Sequence, residues 1–405
     1  MALDKLEAYL TQFLDDLQSK GTSKGAEKII TGIIPPTTGF SERYLLAGYS
    51  DRAFLRMNSN GYLGLARHPR VIEAETKAAE AYGTGPGAVR FISGSFSPHI
   101  ELEEKLASFH GRESAMIMSA AYATVMGVLP RFITEDTLVI SDALNHNCII
   151  NAIRLSRPAD KAVYNHLDMN ALGELLLKHK NRAKRVCVVT DGIFSMRGDH
   201  APLDKIDALC RQFEQDYEEG VVTIVDDSHG IGAFGNTGRG TEEYTGVVTD
   251  LLIATLGKAL GVNGGYVVSS SMAIEYLRES APFYIYSNPI TPAEAAAAIA
   301  ALDILDSDEG LALLEHLRDL SARLRQGLRD LGYETIQGEH PIVPVLIRDT
   351  GKTTAMVKHL FENNILATGL NYPVVPKGEE EIRLQVSANH TGKDIELLLN
   401  VLEQF

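Results

Sequence analysis

Short apolar runs alternate with longer helical stretches through the middle of the chain, and this alternation limits the fold more than any other feature. Near-continuous apolar character is typical of strands that are covered on both faces by helices. The pattern therefore predicts an α/β domain with a mainly parallel sheet. The predicted strands are SAMIMS (114–119), TLVISD (137–142), KAVYN (161–165), RVCVVTDGIF (185–194), VVTIVDDS (221–228), LLIATLGK (251–258) and GGYVVSS (264–270).

The chain should contain more than one domain, because its 405 residues exceed the ~250–300 at which a single hydrophobic core stops growing. The pattern of predicted secondary structure changes near Ile290. Beyond it, a long helical stretch precedes the strands IVPVLIRD, ILATGL and EIRLQVSA and a closing helix. We predict an N-terminal helix and arm over 1–57, a large domain over 58–290 and a smaller α+β domain over 291–405. The first helix is amphipathic, which predicts packing against another surface, such as a partner subunit.

Charge and cysteine content restrict the compartment and the partners. A net charge of -15 repels nucleic acids and anionic lipids at long range, so we expect neither as a partner. The three cysteines form an odd set without CxxC spacing, which indicates reduced thiols. The acidic N-terminal segment does not resemble a signal or transit peptide. We therefore expect a cytoplasmic protein with no membrane span and, lacking HExxH or paired cysteines, no metal site.

A lysine, Lys258, closes the apolar run LLIATLGK. A buried ammonium loses several kcal/mol of hydration free energy unless it is paired or neutralised. A covalent bond to an aldehyde would neutralise it, whereas a lysine at a strand end can also extend to solvent. This run alone leaves both interpretations open.

Asp226 ends the preceding predicted strand, VVTIVD. Two successive parallel strands would place Asp226 and Lys258 over the same edge of the sheet, where open α/β sheets bind ligands. A buried carboxylate at that edge requires a cationic or hydrogen-bonding partner, and a protonated ring nitrogen is one such partner. The pair could therefore hold the pyridine ring of pyridoxal phosphate (PLP).

The same edge offers groups for the rest of PLP. Ala121 and Tyr122 open a helical segment whose first backbone N–H groups suit a phosphate, and Thr255 could add a hydroxyl. His146, which follows TLVISD, could stack on the ring. Each feature also has an ordinary structural explanation, since a histidine beside a strand is often only hydrogen-bonded.

Other nucleotide or hydrolase motifs fit less well. The GTGPGA segment at 83–88 follows a helical run instead of a strand and contains a proline, so we reject a dinucleotide loop there. The sequence has no GxxxxGK[ST] phosphate loop. Ser195, in DGIFSMRG, lacks the GxSxG surroundings of a hydrolase nucleophile.

Several motifs resemble, in order and spacing, those of the α-oxoamine synthases, and most closely those of the glycine C-acetyltransferases. They are NSNGYLGL, VRFISGSFSPHIELEEKLA, SDALNHNCII, TDGIFSMRG, VDDSHGIGAFGNTGRG, TLGKALGVNGGY, YSNPITPAEAAAA, YPVVPKG and IRLQVSANHT. The resemblance covers the chain from Asn58 onward. It implies a type I PLP-dependent transferase fold, a seven-stranded sheet in the cofactor-binding large domain, and a homodimer with shared active sites.

The resemblance also implies an activity. An amino acid, expected to be glycine, would condense with a short-chain acyl-CoA to a 2-amino-3-oxo acid or aminoketone, releasing coenzyme A. Lys258 would be the Schiff-base lysine and would remove the Cα proton, while Asp226 would contact the pyridine nitrogen. His146 would stack on the ring, with His229 and Ser195 near its phenolic oxygen. These implied catalytic residues are Lys258, His146, Asp226 and His229.

Further residues follow from the same resemblance. Ala121, Tyr122 and Thr255 would bind the phosphate. Ser287 and Asn288 would reach the phosphate of the other subunit's cofactor. Asn60 and Arg383 would hold the amino-acid carboxylate, which suits a guanidinium that can donate two parallel hydrogen bonds.

Some positions depart from the glycine C-acetyltransferase pattern and leave the acyl donor open. They are Gly61, Ala121, Ala123, Val125, Val262 and Asn263. Alternatives are another α-oxoamine synthase, similar to 8-amino-7-oxononanoate synthase or serine palmitoyltransferase, or a type I aminotransferase. A catalytically inactive cofactor-binding subunit is the non-enzymatic alternative.

Overall fold

The computed structural model describes residues 3–20, 22–23, 25–372 and 374–405, and these fall into two compact units. The large unit comprises Asn60–Ser321 and Gln337–Pro341, and the small unit comprises Met1–Ser59, Ala322–Ile336 and Ile342–Phe405. This grouping assigns the N-terminal arm to the small unit and 291–321 to the large one. The domain boundaries 1–57, 58–290 and 291–405 stay a prediction.

The secondary structure alternates as expected through the large unit. The strands are β1 (Ile30–Ile34), β2 (Arg43–Leu46), β3 (Tyr49–Arg56), β4 (Ser114–Met118), β5 (Thr137–Asp142), β6 (Asp160–Tyr164), β7 (Arg185–Asp191), β8 (Val221–Asp226), β9 (Leu251–Thr255), β10 (Gly265–Ser269), β11 (Ile342–Leu346), β12 (Ile365–Leu366), β13 (Thr368–Leu370) and β14 (Glu381–Gln385). The α-helices are α1 (Glu7–Ser19), α2 (Pro69–Tyr82), α3 (Ser97–Phe109), α4 (Ala121–Phe132), α5 (Asn147–Leu155), α6 (Met169–Lys178), α7 (Leu203–Phe213), α8 (Gly240–Thr245), α9 (Ser271–Ser280), α10 (Pro282–Ile285), α11 (Pro292–Leu305), α12 (Asp308–Asp330), α13 (Thr350–Glu362) and α14 (Gly392–Glu403).

The large unit contains a seven-stranded sheet in the order β4-β10-β9-β8-β7-β5-β6. The predicted seven strands are confirmed, and all pairs except those of β10 are parallel. β10 runs antiparallel to both β4 and β9. Apolar side chains of the sheet pack against those of α4, α5 and α9 in one buried cluster. Burying each large side chain of this kind contributes roughly 1.5–3 kcal/mol, which explains the near-continuous apolar strands.

The register of the sheet places polar strand ends side by side. Asp191 at the end of β7 pairs with Asp226 at the end of β8, and Asp226 pairs with Ile253 of β9. The next strand, β10, begins at Gly265, opposite Thr255. A Cβ atom at Gly265 would lie 2.3 Å from the Ala121 backbone nitrogen, so only glycine lets the start of α4 approach the sheet this closely.

The small unit contains two sheets, in the orders β1-β2-β3-β12 and β11-β14-β13. The predicted C-terminal strands and closing helix correspond to β11, β12, β13, β14 and α14. The predicted amphipathic helix is α1, and its apolar side chains Leu10, Phe13 and Leu14 are exposed. Within the described ranges, none of the helices combines the length and apolar character needed to cross a bilayer.

Candidate active site

A cavity of about 280 Å³ opens beyond the carboxyl ends of β7, β8 and β9, entirely within the large unit. Eight of the residues predicted from the sequence line it. They are Ala121, Tyr122, His146, Ser195, Asp226, His229, Thr255 and Lys258. The sheet edge therefore gathers residues that are far apart in the chain, as expected for parallel strands whose carboxyl ends meet.

Four other predicted residues are not part of this lining. Asn60 lies in the large unit and accepts a hydrogen bond from the Tyr62 hydroxyl at 3.3 Å. Ser287 and Asn288 lie between α10 and α11, and Arg383 lies on β14 of the small unit. Their roles stay predictions.

The cavity also includes residues that the sequence analysis did not assign to the site. They are Cys148, Asp191, Ile193 and Ser228. Asp191 carried a usable signal, because it is an acidic residue at the end of an apolar run, as Asp226 is. Cys148 carried only its position two residues after His146.

The N-terminus of α4 forms one wall of the cavity. Its N-cap residue, Ala120, provides no side-chain hydrogen bond to the first turn, so the backbone N–H groups of Ala121 and Tyr122 have no side-chain cap. Such N–H groups and the positive end of the helix dipole attract a phosphate. The Thr255 hydroxyl donates to the Gly264 carbonyl at 3.1 Å, so it must rotate before it can donate to a ligand.

Asp226 lines the cavity and is 7% exposed. Its Oδ1 accepts a hydrogen bond from the Ser228 backbone N–H at 3.1 Å, and its Oδ2 lies 3.6 Å from the Cys148 thiol. The neighbouring Asp191 is also buried. Burial, followed by repulsion from Asp226, raises the pKa of Asp191 well above its ordinary value and favours its neutral form.

His146 is the N-cap residue of α5, and its Nδ1 accepts a hydrogen bond from the Cys148 backbone N–H at 3.3 Å. Its own backbone N–H donates to Asp191 Oδ2 at 3.0 Å, which fixes the start of the helix to the end of β7. Burial lowers the pKa of His146 despite the opposing charge of Asp226, and the charge of Lys258 lowers it further. The ring is therefore suited to contact a flat ligand as a neutral imidazole.

His229 is held by two neighbours in the large unit. Its Nδ1 lies 2.8 Å from the Tyr62 hydroxyl, which also contacts Asn60, and its carbonyl accepts a hydrogen bond from His340 Nε2 at 2.8 Å. Tyr62 and His340 were not predicted as site residues. The NGYLGL motif was the only signal for Tyr62, whereas His340 is 111 residues from its partner and gave no local signal.

Lys258 lies in the loop after β9, three residues beyond the end of the strand, and its side chain is half-buried. The loop is closed by hydrogen bonds from Gly261 N to Lys258 O at 3.1 Å and from Val262 N to Leu256 O at 2.9 Å. Gly261 has a φ of 73°, and a Cβ atom there would lie 2.4 Å from the Ala66 nitrogen. Glycine at this position therefore permits the turn that aims Lys258 at the cavity.

The comparisons with known proteins agree with this arrangement. Residues 52–402 match the family model for aminotransferase class I and II. An 8-amino-7-oxononanoate synthase from Geobacter sulfurreducens is 42% identical over 347 residues, covering 85% of this chain and 87% of that protein. Serine palmitoyltransferase from Sphingomonas wittichii is 26% identical with a TM-score of 0.88, covering 99% of this chain and 97% of that one. A serine palmitoyltransferase variant from S. paucimobilis with a bound PLP–myriocin aldimine is 24% identical with a TM-score of 0.88, at the same coverages.

Proposed function

Because the chain belongs to the aminotransferase class I and II family, and within it to the α-oxoamine synthases, we propose that it condenses an amino acid with an acyl-CoA and releases coenzyme A. It has the predicted type I PLP transferase fold, uses PLP, and is a PLP-dependent C-acyltransferase. The observation that best supports the proposal is the meeting of Asp226, Lys258 and the uncapped start of α4 in one cavity.

The residues of the cavity fit PLP. The N–H groups of Ala121 and Tyr122 would bind its phosphate, and Asp226 would face its ring nitrogen. His146 would lie against the ring, and Lys258 would provide the amine that binds its aldehyde. PLP, when bound, supplies an electron sink for negative charge that develops at the amino-acid Cα.

The side chains of the site would hold or remove protons and bind the charged groups of the substrate. Asp226, buried at the strand end, would hold a proton on the cofactor's ring nitrogen. Lys258 Nζ would take the proton from the amino-acid Cα, because the glycine-dependent loop brings this lysine to the cavity wall. Asn60 and Arg383 would hold the amino-acid carboxylate, and His229 and Ser195 would stay near the phenolic oxygen.

The substrates proposed here differ from the sequence-based expectation of glycine and a short-chain acyl-CoA. They follow the alternative of an enzyme similar to 8-amino-7-oxononanoate synthase. Curated relatives at 35–42% identity are named 8-amino-7-oxononanoate synthase, whereas glycine and a short-chain acyl-CoA have no such support. That product carries an amine and a ketone on adjacent carbons, with a methyl group beyond the amine. Alanine that loses its carboxylate leaves that fragment, and a dicarboxylic seven-carbon acyl group accounts for the remainder. We therefore favour alanine and a dicarboxylic acyl-CoA.

One assay tests the activity and the substrates together. The holoenzyme is mixed with alanine, glycine or serine and with acetyl-CoA, a seven-carbon dicarboxylic acyl-CoA or palmitoyl-CoA, and free thiol is recorded. The fastest release with alanine and the dicarboxylic acyl-CoA would support the proposal. Preference for glycine with acetyl-CoA would restore the sequence-based expectation. Keto acid without thiol would indicate an aminotransferase, and PLP binding without either product would indicate an inactive subunit.

Assembly and location are also proposals. We propose a homodimer in which Ser287 and Asn288 reach the partner's cofactor phosphate, and a cytoplasmic location. Sedimentation of the active holoenzyme tests the assembly, because the shared site needs two copies. Full activity in a purely monomeric sample would contradict the dimer and the roles of both residues.

A further inference from the structure

The thiol of Cys148 occupies the space between two residues of the proposed cofactor site. Its Sγ lies 2.9 Å from His146 Nδ1 and 3.6 Å from Asp226 Oδ2. The residue is 2% exposed and lies at the start of α5, where the chain turns from His146 into the helix. The proposed reaction gives this thiol no role.

The hydrogen bonds around His146 determine where its ring carries a proton. Nδ1 already accepts the Cys148 backbone N–H at 3.3 Å, and this long hydrogen bond favours an unprotonated Nδ1 and a proton on Nε2 without fixing them alone. The one thiol hydrogen can point to Asp226 Oδ2 or to the nearer Nδ1, and in the second orientation it adds a second donor to that nitrogen. In that orientation the backbone contact and the thiol contact favour the same tautomer.

The thiol can also adapt to a protonated ring. It has one hydrogen and can accept weakly through sulfur. If Nδ1 gained a proton, its N–H could donate to Sγ, and the thiol hydrogen would turn to Asp226 Oδ2. Burial, followed by the charge of Asp226, raises the pKa of Cys148 and keeps the thiol protonated through this change.

We propose that Cys148 is a positioning residue that fixes the tautomer and ring orientation of His146 and couples them to Asp226. The inference rests on the proposed cofactor site for its consequence, because His146 is the residue expected to contact the ring. The charged groups that act on His146 are Asp226 from β8 and Lys258 from the loop after β9, and Asp191 of β7 binds its backbone N–H. Cys148 contacts both His146 and one of these carboxylates.

The test compares Cys148→Ser, Cys148→Ala and Cys148→Val with wild type. Serine keeps a donor and acceptor, alanine removes both, and valine removes both while filling the space. Cys210→Ser is the matched control, because Cys210 is a buried cysteine in α7 that does not line the cavity. Histidine ¹⁵N spectra of the cofactor-free protein report the tautomer, and the absorbance of bound PLP across pH reports the titration of the site.

We expect wild type and Cys148→Ser to show an unprotonated Nδ1 at His146, while the alanine and valine variants show mixed tautomers. Because sulfur accepts a hydrogen bond only weakly, the thiol favours the neutral ring over the protonated one, and the pKa of His146 should rise by roughly half to one pH unit in those two variants. Cys210→Ser should match wild type. Wild-type spectra and pH profiles in Cys148→Val would overturn the inference, as would Cys148→Ser that behaves like valine.

The test of Cys148 remains interpretable if one variant fails to fold, and its result is independent of the substrate assay. If Cys148→Ala fails to fold, Cys148→Val still removes the thiol without leaving a cavity. The cofactor-free spectra do not depend on any acyl-CoA, so absence of thiol release in the substrate assay would reject the proposed function while leaving the tautomer result interpretable.

Discussion

His166, which follows β6, contacts two carboxylates, and its charge should make the stability of the fold depend on pH. Its Nδ1 lies 3.0 Å from Asp142 Oδ1 at the end of β5, and its Nε2 lies 3.2 Å from Asp199 Oδ2 beyond β7. Burial alone would lower the pKa of His166, but the hydrogen bonds and charges of Asp142 and Asp199 outweigh it and raise the pKa to about 9. Both nitrogens can donate only when the ring is protonated.

The size of the effect follows from that shift. An increase from 6.5 to about 9 corresponds to roughly 3 kcal/mol at about 1.4 kcal/mol per unit, and partial solvent screening reduces it to about 2–3 kcal/mol. The folded-state pKa exceeds the unfolded one, so the protonated ring stabilises the native state fully below pH 6.5. This contribution declines above that value and is lost as the pH rises through about 9.

The assay compares urea unfolding of wild-type and His166→Gln holoenzyme at about pH 6 and about pH 10, with saturating PLP throughout. We expect the variant to be less stable by about 2–3 kcal/mol at the lower pH and by much less at the higher pH. His68→Gln is the control, because the His68–Glu309 pair at 3.0 Å is more exposed and should contribute at most about 1 kcal/mol. An equal loss of stability at both pH values for His166→Gln would refute the reasoning.

Three further predictions concern the cofactor site. Lys258→Ala should prevent borohydride from fixing PLP to the chain, which mass spectrometry detects; trapping at the wild-type level would reject this lysine. Asp226→Asn should slow deuterium exchange at the amino-acid Cα by several decades, as expected for ~2–5 kcal/mol lost in the transition state, and unchanged exchange would point to another partner of the ring nitrogen. Gly265→Ala should weaken PLP binding in titrations of the cofactor-free protein, because the new Cβ would lie 2.3 Å from Ala121 N; wild-type affinity would show that the start of α4 can move without loss.

The sequence predicted the parts of the fold that depend on local pattern. Apolar runs that alternate with helical stretches identified the strands, and successive parallel strands correctly placed Asp226 and Lys258 at one edge. The antiparallel direction of β10 was not predicted individually, because alternation of apolar residues carries no information about strand direction. That direction matters for the site, since β10 begins opposite Thr255 and receives the start of α4 at Gly265.

The remaining differences between sequence and structure have two physical origins. Contacts such as that between His340 and the His229 carbonyl join positions 111 residues apart, so a local sequence pattern cannot predict them. The substrate is obscured for another reason: the motifs that suggested glycine C-acetyltransferase surround Lys258, Asp226 and His146, which would contact the cofactor. Every α-oxoamine synthase needs similar cofactor chemistry. The residues that would contact PLP are therefore alike in enzymes that use different acyl groups, and they say little about which acyl group is bound. Similarity over 84–85% of the chain also samples positions beyond the cofactor, and it therefore carries more weight for the acyl substrate than the motifs do.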